Sequence, residues 1–117
     1  MRFLCLVYFR PETLDALSAS EKAALTRDSM TYNEELRQRN HYIAAEALEP
    51  VRNARTIRVR RNKASVIDGP FAETKEVVGG FILITAGGMD EALEIAAGIP
   101  LAKLGSIEVR PVMQMSR

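Results

Sequence analysis

Short apolar runs separated by amphipathic stretches set the pattern of this chain. Residues 3–9 form a continuous run rich in aromatic and branched side chains, which is typical of a strand covered on both faces. Residues 42–48 and 81–84 have the same character, and residues 107–112 form a last strand in which Glu108 and Arg110 share one face. The pattern therefore predicts four apolar strands.

Two helices are predicted between these strands. Ser18 and Glu21 have the spacing of a capping box, which begins a helix over residues 19–39. Its inward stripe is only moderately apolar, so polar groups are expected to line part of the surface it meets; the stripe is Leu25, Ser29, Tyr32 and Leu36. A second helix over residues 89–97 is stopped by Gly98 and Pro100, and its apolar face is assigned to Leu93, Ala96 and Ala97, with Ala92 and Ile99 at the edges.

A β-hairpin is predicted in the middle of the chain. Residues 56–60 alternate strictly, with Ile57 and Val59 assigned to the inward face. Residues 61–63 form a short turn, and residues 64–67 return antiparallel.

The order of elements defines the fold class. Without the hairpin the order is βαββαβ, a ferredoxin-like α+β plait in which both helices lie on one face of an antiparallel sheet. The 117 residues fit one domain, residues 1–117. Because the strands are apolar on both sides, the free face of the sheet is expected to pack against a second copy, giving a homodimer.

Composition narrows the class of partner. A net charge of +1 provides no overall field that would attract nucleic acid or an anionic membrane. The basic residues between positions 52 and 63 have no aromatic residue among them for base stacking, so a solvated hairpin face is favoured over nucleic-acid binding. No apolar run approaches the length of a membrane span. Cys5 is the only cysteine, which fits a reducing cytoplasm and indicates a buried, inert thiol.

The stretch 68–76, DGPFAETKE, followed by Gly79-Gly80-Phe81, resembles the DGPF signature of the YCII-like superfamily. The resemblance extends to Leu6-Val7-Tyr8, to the start of the first helix and to residues 108–112. It implies a dimeric α+β barrel, in agreement with the pattern of elements. It also implies a regulatory or stress context, since such proteins resemble partners of extracytoplasmic-function sigma factors.

The resemblance bears on catalysis as well. Some YCII-like relatives look like small enzymes, among them a dehalogenase acting on a chlorinated muconolactone, in which a histidine on the first helix pairs with an aspartate at the position resembling Asp68. Here the corresponding helix position falls near Met30, and the sole histidine, His41, follows the helix. A role at the helix end, where a charged imidazole interacts with the helix dipole, is favoured for His41. One histidine without neighbours at ligand spacing gives no metal site, and no cofactor is indicated.

Asp68 is the leading candidate for a site residue. A carboxylate ahead of a Gly-Pro turn is either a partly buried general base or an acceptor of turn amides. Glu46, placed on one strand face with Tyr42, Ala44 and Leu48, is a pocket carboxylate, or it lies at a sheet edge, or it is paired with an arginine.

Three further residues complete the predicted ligand-binding set. Tyr8 either aims its hydroxyl at a cavity mouth or packs in the core. Lys75 belongs to a charge cluster with Glu73 and Glu76, and it could also orient a substrate. Arg110 either pairs with a carboxylate across strands or across the dimer, or holds an anionic ligand.

Three functions follow from these residues. The first is a small-molecule-binding or accessory protein that takes a small anionic ligand near Tyr8, Glu46 and Asp68. The second is an isomerase, lyase or dehalogenase acting on a small anionic carbonyl or lactone compound with Asp68 as base. The third is an interaction module for a sigma factor that has no ligand.

Overall fold

The strands and helices follow the predicted order along the chain. The computed structural model describes residues 1–115. The strands are β1 (Arg2–Phe9), β2 (Tyr42–Ala47), β3 (Arg55–Arg60), β4 (Lys63–Asp68), β5 (Val77–Thr85) and β6 (Ser106–Pro111). The helices are α1 (Pro11–Asp15), α2 (Ala19–Gln38) and α3 (Met89–Ala97), with short 3₁₀ turns at Val51–Asn53 and Pro100–Lys103.

One four-stranded antiparallel sheet organises the domain, in the order β2-β5-β1-β6. This is the strand order of a ferredoxin-like plait, with β3 and β4 forming a separate two-stranded sheet inserted between β2 and β5. The predicted fold class is confirmed. The structure adds α1, which begins at a proline that suits the first turn of a helix, and it extends β5 back to Val77.

The hydrophobic core lies between one face of the sheet and the helices. Alternate residues of β1 and β5 point into it, namely Phe3, Cys5, Val7, Ile82 and Ile84. Leu36 of α2 is fully buried against them. The predicted capping box is present, because the Glu21 amide donates to Ser18 Oγ and the Ser18 amide to Glu21 Oε1.

The predicted apolar face of α3 is wrong in its phase. Leu93 is 50% exposed and Ala97 is exposed, whereas the buried positions are Ala92, Ile95 and Ala96. Together with Ile99 after the helix, these positions follow the i, i+3, i+4, i+7 spacing of a single stripe. The helix is therefore rotated so that Ile95, and not Leu93, meets the sheet.

The opposite face of the sheet carries no helix of residues 1–115, since α2 and α3 both pack on the core side. Leu4 and Leu6 of β1 lie beside Leu83 and Phe81 of β5 on this open face, and all four are half-buried. An apolar strip on an uncovered sheet face is the feature from which the homodimer was predicted.

The β3–β4 hairpin extends away from the core. Arg61 and Asn62 form its two-residue turn with φ values of 51° and 62°, the left-handed conformation that type I′ turns require. The inward placement predicted for Ile57 and Val59 is wrong, because they are 64% and 57% exposed. Their alternation does create an apolar face, but within residues 1–115 no other part of the chain covers it.

Cys5 is expected to resist labelling in the folded protein. Burial raises the pKa of its thiol to about 11 from an ordinary 9.0, so little thiolate forms at neutral pH. The unfolded chain ionises at lower pH, so this thiol leaves stability unchanged below about pH 9 and lowers it as pH rises toward 11. Urea unfolding between about pH 9 and pH 11 measures this fall in the free energy of unfolding, which should be smaller in Cys5→Val. Rapid labelling of the native protein by a thiol reagent would contradict the prediction.

Candidate functional site

A cavity of about 420 Å³ lies between α2 and the core face of the sheet. Its size falls in the range typical of small-molecule sites. The sheet supplies the floor and α2 the roof, and the walls are mostly apolar. The lining comprises Val7, Phe9, Leu14, Leu25, Thr26, Ser29, Met30, Asn33, Ala45, Glu46, Ala47, Leu48, Gly79, Gly80, Phe81, Ile82, Ile99, Pro100 and Leu101.

The floor of the cavity depends on two glycines. The pairing of β1 with β5 shifts after Val7, which pairs with Gly80 while the next residue, Tyr8, pairs with Val78. Gly79 is thus the extra residue of a β-bulge. A Cβ atom at Gly79 would lie 2.0 Å from Cε2 of Phe9, and one at Gly80 would lie 2.9 Å from the Glu46 carbonyl oxygen. Glycine at these positions lets the Phe9 ring and β2 approach the floor closely.

The roof contributes the neutral polar groups. Thr26, Ser29 and Asn33 recur at the i, i+3, i+7 spacing that places them on one face of α2, and Met30 lies between them. The sequence indicated this by the weakly apolar stripe through Ser29, although Thr26 and Asn33 were not singled out. Hydroxyl and amide groups both donate and accept hydrogen bonds, so they can orient an oxygen-bearing ligand without a fixed charge.

Glu46 borders this cavity, but its side chain is directed to the open face of the sheet. On β2, Glu46 pairs with Phe81 of β5, and Ala44 pairs with Leu83. The prediction that Tyr42 shares this face is wrong, because the pairing shifts between Tyr42 and Ala44 and Tyr42 packs against the core. Glu46 therefore shares the open face with Phe81 and is exposed there, whereas its neighbour Ala45, opposite Ile82, faces the cavity side.

A smaller depression of about 250 Å³ adjoins the cavity. The two share Phe9, Leu14, Leu48 and Gly79 as lining residues. The depression adds charged groups from the surrounding loops, and these are Asp15, Glu49 and Arg52. The ionic groups therefore lie on the side of the depression, beyond the residues that the two share.

Tyr8 and Arg110 lie outside the cavity, on the open face of the sheet. The Tyr8 hydroxyl donates to Glu108 Oε1 at 3.2 Å, and Arg110 Nε donates to Glu108 Oε2. The hydrogen bond from Arg110 lowers the pKa of Glu108, while desolvation, followed by the bond to Glu108, raises the pKa of Tyr8. Arg110 was expected to pair across strands or across the dimer, but it pairs along its own strand with a residue two positions away.

Asp68 lies at the base of the hairpin, away from the cavity lining. Its side chain is 87% exposed, and Oδ1 accepts an ion-pair contact from Arg55 Nε at 3.1 Å. The turn that follows is tight, since Gly69 has φ of 100° and its amide donates to the Ala54 carbonyl at 2.8 Å. Asp68 is thus paired with an arginine of the neighbouring strand, which neither of its two predicted roles anticipated. Lys75 is exposed in the loop before β5.

His41 is at the far end of the sheet from the cavity. Its backbone amide donates to the Leu36 carbonyl at 2.8 Å, and its ring Nδ1 lies 2.9 Å from the Thr85 carbonyl oxygen. The imidazole thus joins the end of α2 to β5 as a structural contact. No three His, Cys, Asp or Glu side chains among residues 1–115 are placed to hold a metal ion. In the same range no helix is long and apolar enough to cross a membrane.

The fold and the cavity define a small α+β protein with a ferredoxin-like sheet and a half-open site beneath its long helix. The chain belongs to the YCII-related domain family, whose model matches residues 1–116. An uncharacterized protein of Rhizobium meliloti strain 1021 is 34% identical over 114 residues, covering 96% of this chain and 92% of that protein.

A solved structure has a similar fold. It is 5-chloro-2-hydroxyhydroquinone dehydrochlorinase (TftG) from Burkholderia phenoliruptrix AC1100 in complex with 2,5-dihydroxybenzoquinone. The TM-score is 0.57 at 18% sequence identity, with 98% of this chain and 96% of that chain covered. At this identity the likeness concerns the fold.

Proposed function

We propose that this YCII-related protein binds a small, oxygen-bearing organic molecule in the cavity between α2 and the sheet. The observation that carries the proposal is the lining itself: apolar walls with three neutral polar side chains, Thr26, Ser29 and Asn33, aligned on one helix face. Ligand sites typically combine an apolar pocket with a few polar groups that fix orientation.

The lining also suggests the shape and charge of the ligand. A cavity of about 420 Å³ suits a single substituted ring. Its aligned hydroxyl and amide groups suit hydroxyl or carbonyl substituents, as in the dihydroxybenzoquinone bound to the dehydrochlorinase. The anionic ligand predicted from the sequence would find a cation in Arg52 of the adjoining depression, since Arg110 lies on the other face of the sheet.

The alternative is a small isomerase, lyase or dehalogenase, which the fold shared with a dehydrochlorinase favours. In that case neither predicted carboxylate is in place as a base for this cavity, because Asp68 is paired with Arg55 outside the lining and the Glu46 side chain is on the open face of the sheet. A general base must come within hydrogen-bond reach of the proton that it removes.

Filling the cavity is expected to abolish binding. Ser29→Phe places a ring under α2, and we expect affinity for 2,5-dihydroxybenzoquinone, used as the probe, to fall by about 100-fold or more, as expected when a bulky group occupies the ligand's volume. Thr31→Phe, the matched change at an exposed position of α2 outside the lining, should leave affinity unchanged. Isothermal titration calorimetry measures both.

The same titration separates the two functions. Equal affinity in Ser29→Phe and the parent protein would contradict binding in this cavity, as would no binding of any hydroxylated quinone or hydroquinone by the parent. A change in the absorption spectrum of the ligand with time would favour the enzyme alternative.

The open face of the sheet supports a homodimer as part of the same proposal. Leu4, Leu6, Phe81 and Leu83 present an apolar strip there, and exposed apolar patches commonly mark protein interfaces. A sigma-factor partner and a cytoplasmic location stay predictions from the sequence and the family resemblance.

A further inference from the structure

The β3–β4 hairpin, residues 55–68, is the part of the molecule that its own core leaves unsupported. We name it the arm. Its contacts are mainly between its own two strands, and its residues are exposed from Ile57 to Asp68. The radius of gyration is 16.2 Å, against roughly 13 Å for a compact domain of this length. The arm accounts for an extended shape in a chain that otherwise packs as one layer of helices on one sheet.

The two faces of the arm differ in character. Ile57 pairs with Val66 and Val59 with Ala64, so these four side chains share one face, which the Arg55–Asp68 ion pair continues at the base of the arm. Ile57, Val59 and Val66 are 64%, 57% and 61% exposed. The other face carries Thr56, Arg58, Arg60, Lys63, Ser65 and Ile67. One face is thus built for burial and the other mainly for water.

A two-stranded hairpin is marginally stable in water unless another element covers its apolar face. The open face of the four-stranded sheet offers a surface of matching character on the same chain, with Leu4, Leu6, Phe81 and Leu83. In a two-fold symmetric pair each copy presents the same surfaces to the other, so an arm and an acceptor on one chain suffice for two equivalent contacts.

The dimensions agree with such a contact. Each arm strand has six residues, which span about 20 Å at roughly 3.3 Å per residue. The four strands of the sheet are about 14 Å across at roughly 4.8 Å spacing. The arm is long enough to cross the whole width of a second sheet, and Arg58 and Arg60 on its outer face would remain in water.

We infer that the arm of one copy lies with its apolar face on the open sheet face of a second copy, and that the exchange is reciprocal. The inference rests on the homodimer proposed above and names the element that holds it. The cationic outer face also protects the arm strands from pairing edge to edge with further chains.

Sedimentation equilibrium of the full chain tests the inference with two variants. Ile57→Ser/Val66→Ser removes the apolar face, and Ile67→Ser makes the same chemical change on the other face of the same hairpin. In a symmetric dimer each substitution is present at both equivalent contacts. We therefore expect the dimer dissociation constant of the double variant to rise by about 100-fold or more. The parent protein and Ile67→Ser should stay at twice the 13.0 kDa chain mass at micromolar concentration.

The outcomes separate the two proposals. A parent protein that sediments as a monomer overturns the homodimer and the arm exchange together. A dimer that the double variant leaves intact overturns the arm exchange and leaves the homodimer standing. If Ile67→Ser raises the dimer dissociation constant as much as the double variant does, the assignment of the buried face is wrong. Far-ultraviolet circular dichroism should be retained in both variants, because the arm is separate from the core.

Discussion

Replacing Phe3 by alanine is expected to lower the free energy of unfolding by about 3–5 kcal/mol, the usual cost of truncating a buried phenylalanine. Phe3 is 1% exposed on the central strand β1, where it pairs with Ile84 on one side and Pro111 on the other. Loss of its ring would leave a cavity between the sheet and the helices, because neighbours on a paired strand cannot collapse far into the gap.

Urea unfolding followed by circular dichroism measures this loss. Phe71→Ala is the matched control, since Phe71 is 73% exposed and its ring has the Arg58 guanidinium 5.0 Å from its centre. An exposed cation–π contact contributes about 0.5–1 kcal/mol, so the control should lose no more than that. Similar losses in the two variants would contradict the assignment of the core.

Gly105→Ala is expected to destabilise the fold by about 3 kcal/mol or more, at the upper end for overpacking, because backbone must move to relieve the contact. A Cβ atom at Gly105 would lie 2.0 Å from the Tyr8 carbonyl oxygen and 3.2 Å from Cα of Phe9. Gly105 directly precedes β6, whose first residue, Ser106, pairs with Tyr8. The substitution would therefore push β6 away from β1 at the point where their pairing begins.

Gly87→Ala is the control for this prediction, since a Cβ atom there would meet Glu91 Oε1 at 3.6 Å, an ordinary contact. Thermal and urea unfolding of both variants, followed by circular dichroism, compares them. A loss in Gly105→Ala no larger than in Gly87→Ala would show that β1 and β6 tolerate separation at this end.

Local patterns in the sequence were sufficient for the architecture. The capping box of α2 and the glycines at both ends of α3 act within one turn of their helix, so these boundaries could be predicted without knowledge of the rest of the chain. The rotation of α3 could not be, because Leu93 and Ile95 are comparably apolar and only packing against the sheet decides which of them is buried.

The candidate site was harder to predict because it depends on register and on distant segments. A shift of pairing in β2 separates Tyr42 from Glu46, and a bulge at Gly79 shapes the cavity floor; neither leaves a mark in the alternation of residues. The polar lining of α2 was anticipated in outline by Ser29. The structure divides the predicted set: Glu46, Tyr8 and Arg110 lie on the open face of the sheet, and Asp68 lies on the hairpin.

The conspicuous stretch from Asp68 to Glu76 takes on a different meaning in the structure. It closes the base of the arm through Gly69 and the Asp68–Arg55 pair, and then leads into β5. Its position explains why a motif so distinctive in sequence lies outside the cavity lining. If the arm is exchanged between two copies, these residues are at the hinge of that exchange.

The buried Cys5 gives the protein a practical property. Because the single native cysteine is fully buried, a cysteine introduced on the arm, for example at Ser65, would be the one readily labelled thiol, with no need to remove another first. A spin label at that position would report the separation of the two arms directly, as a distance distribution in frozen solution.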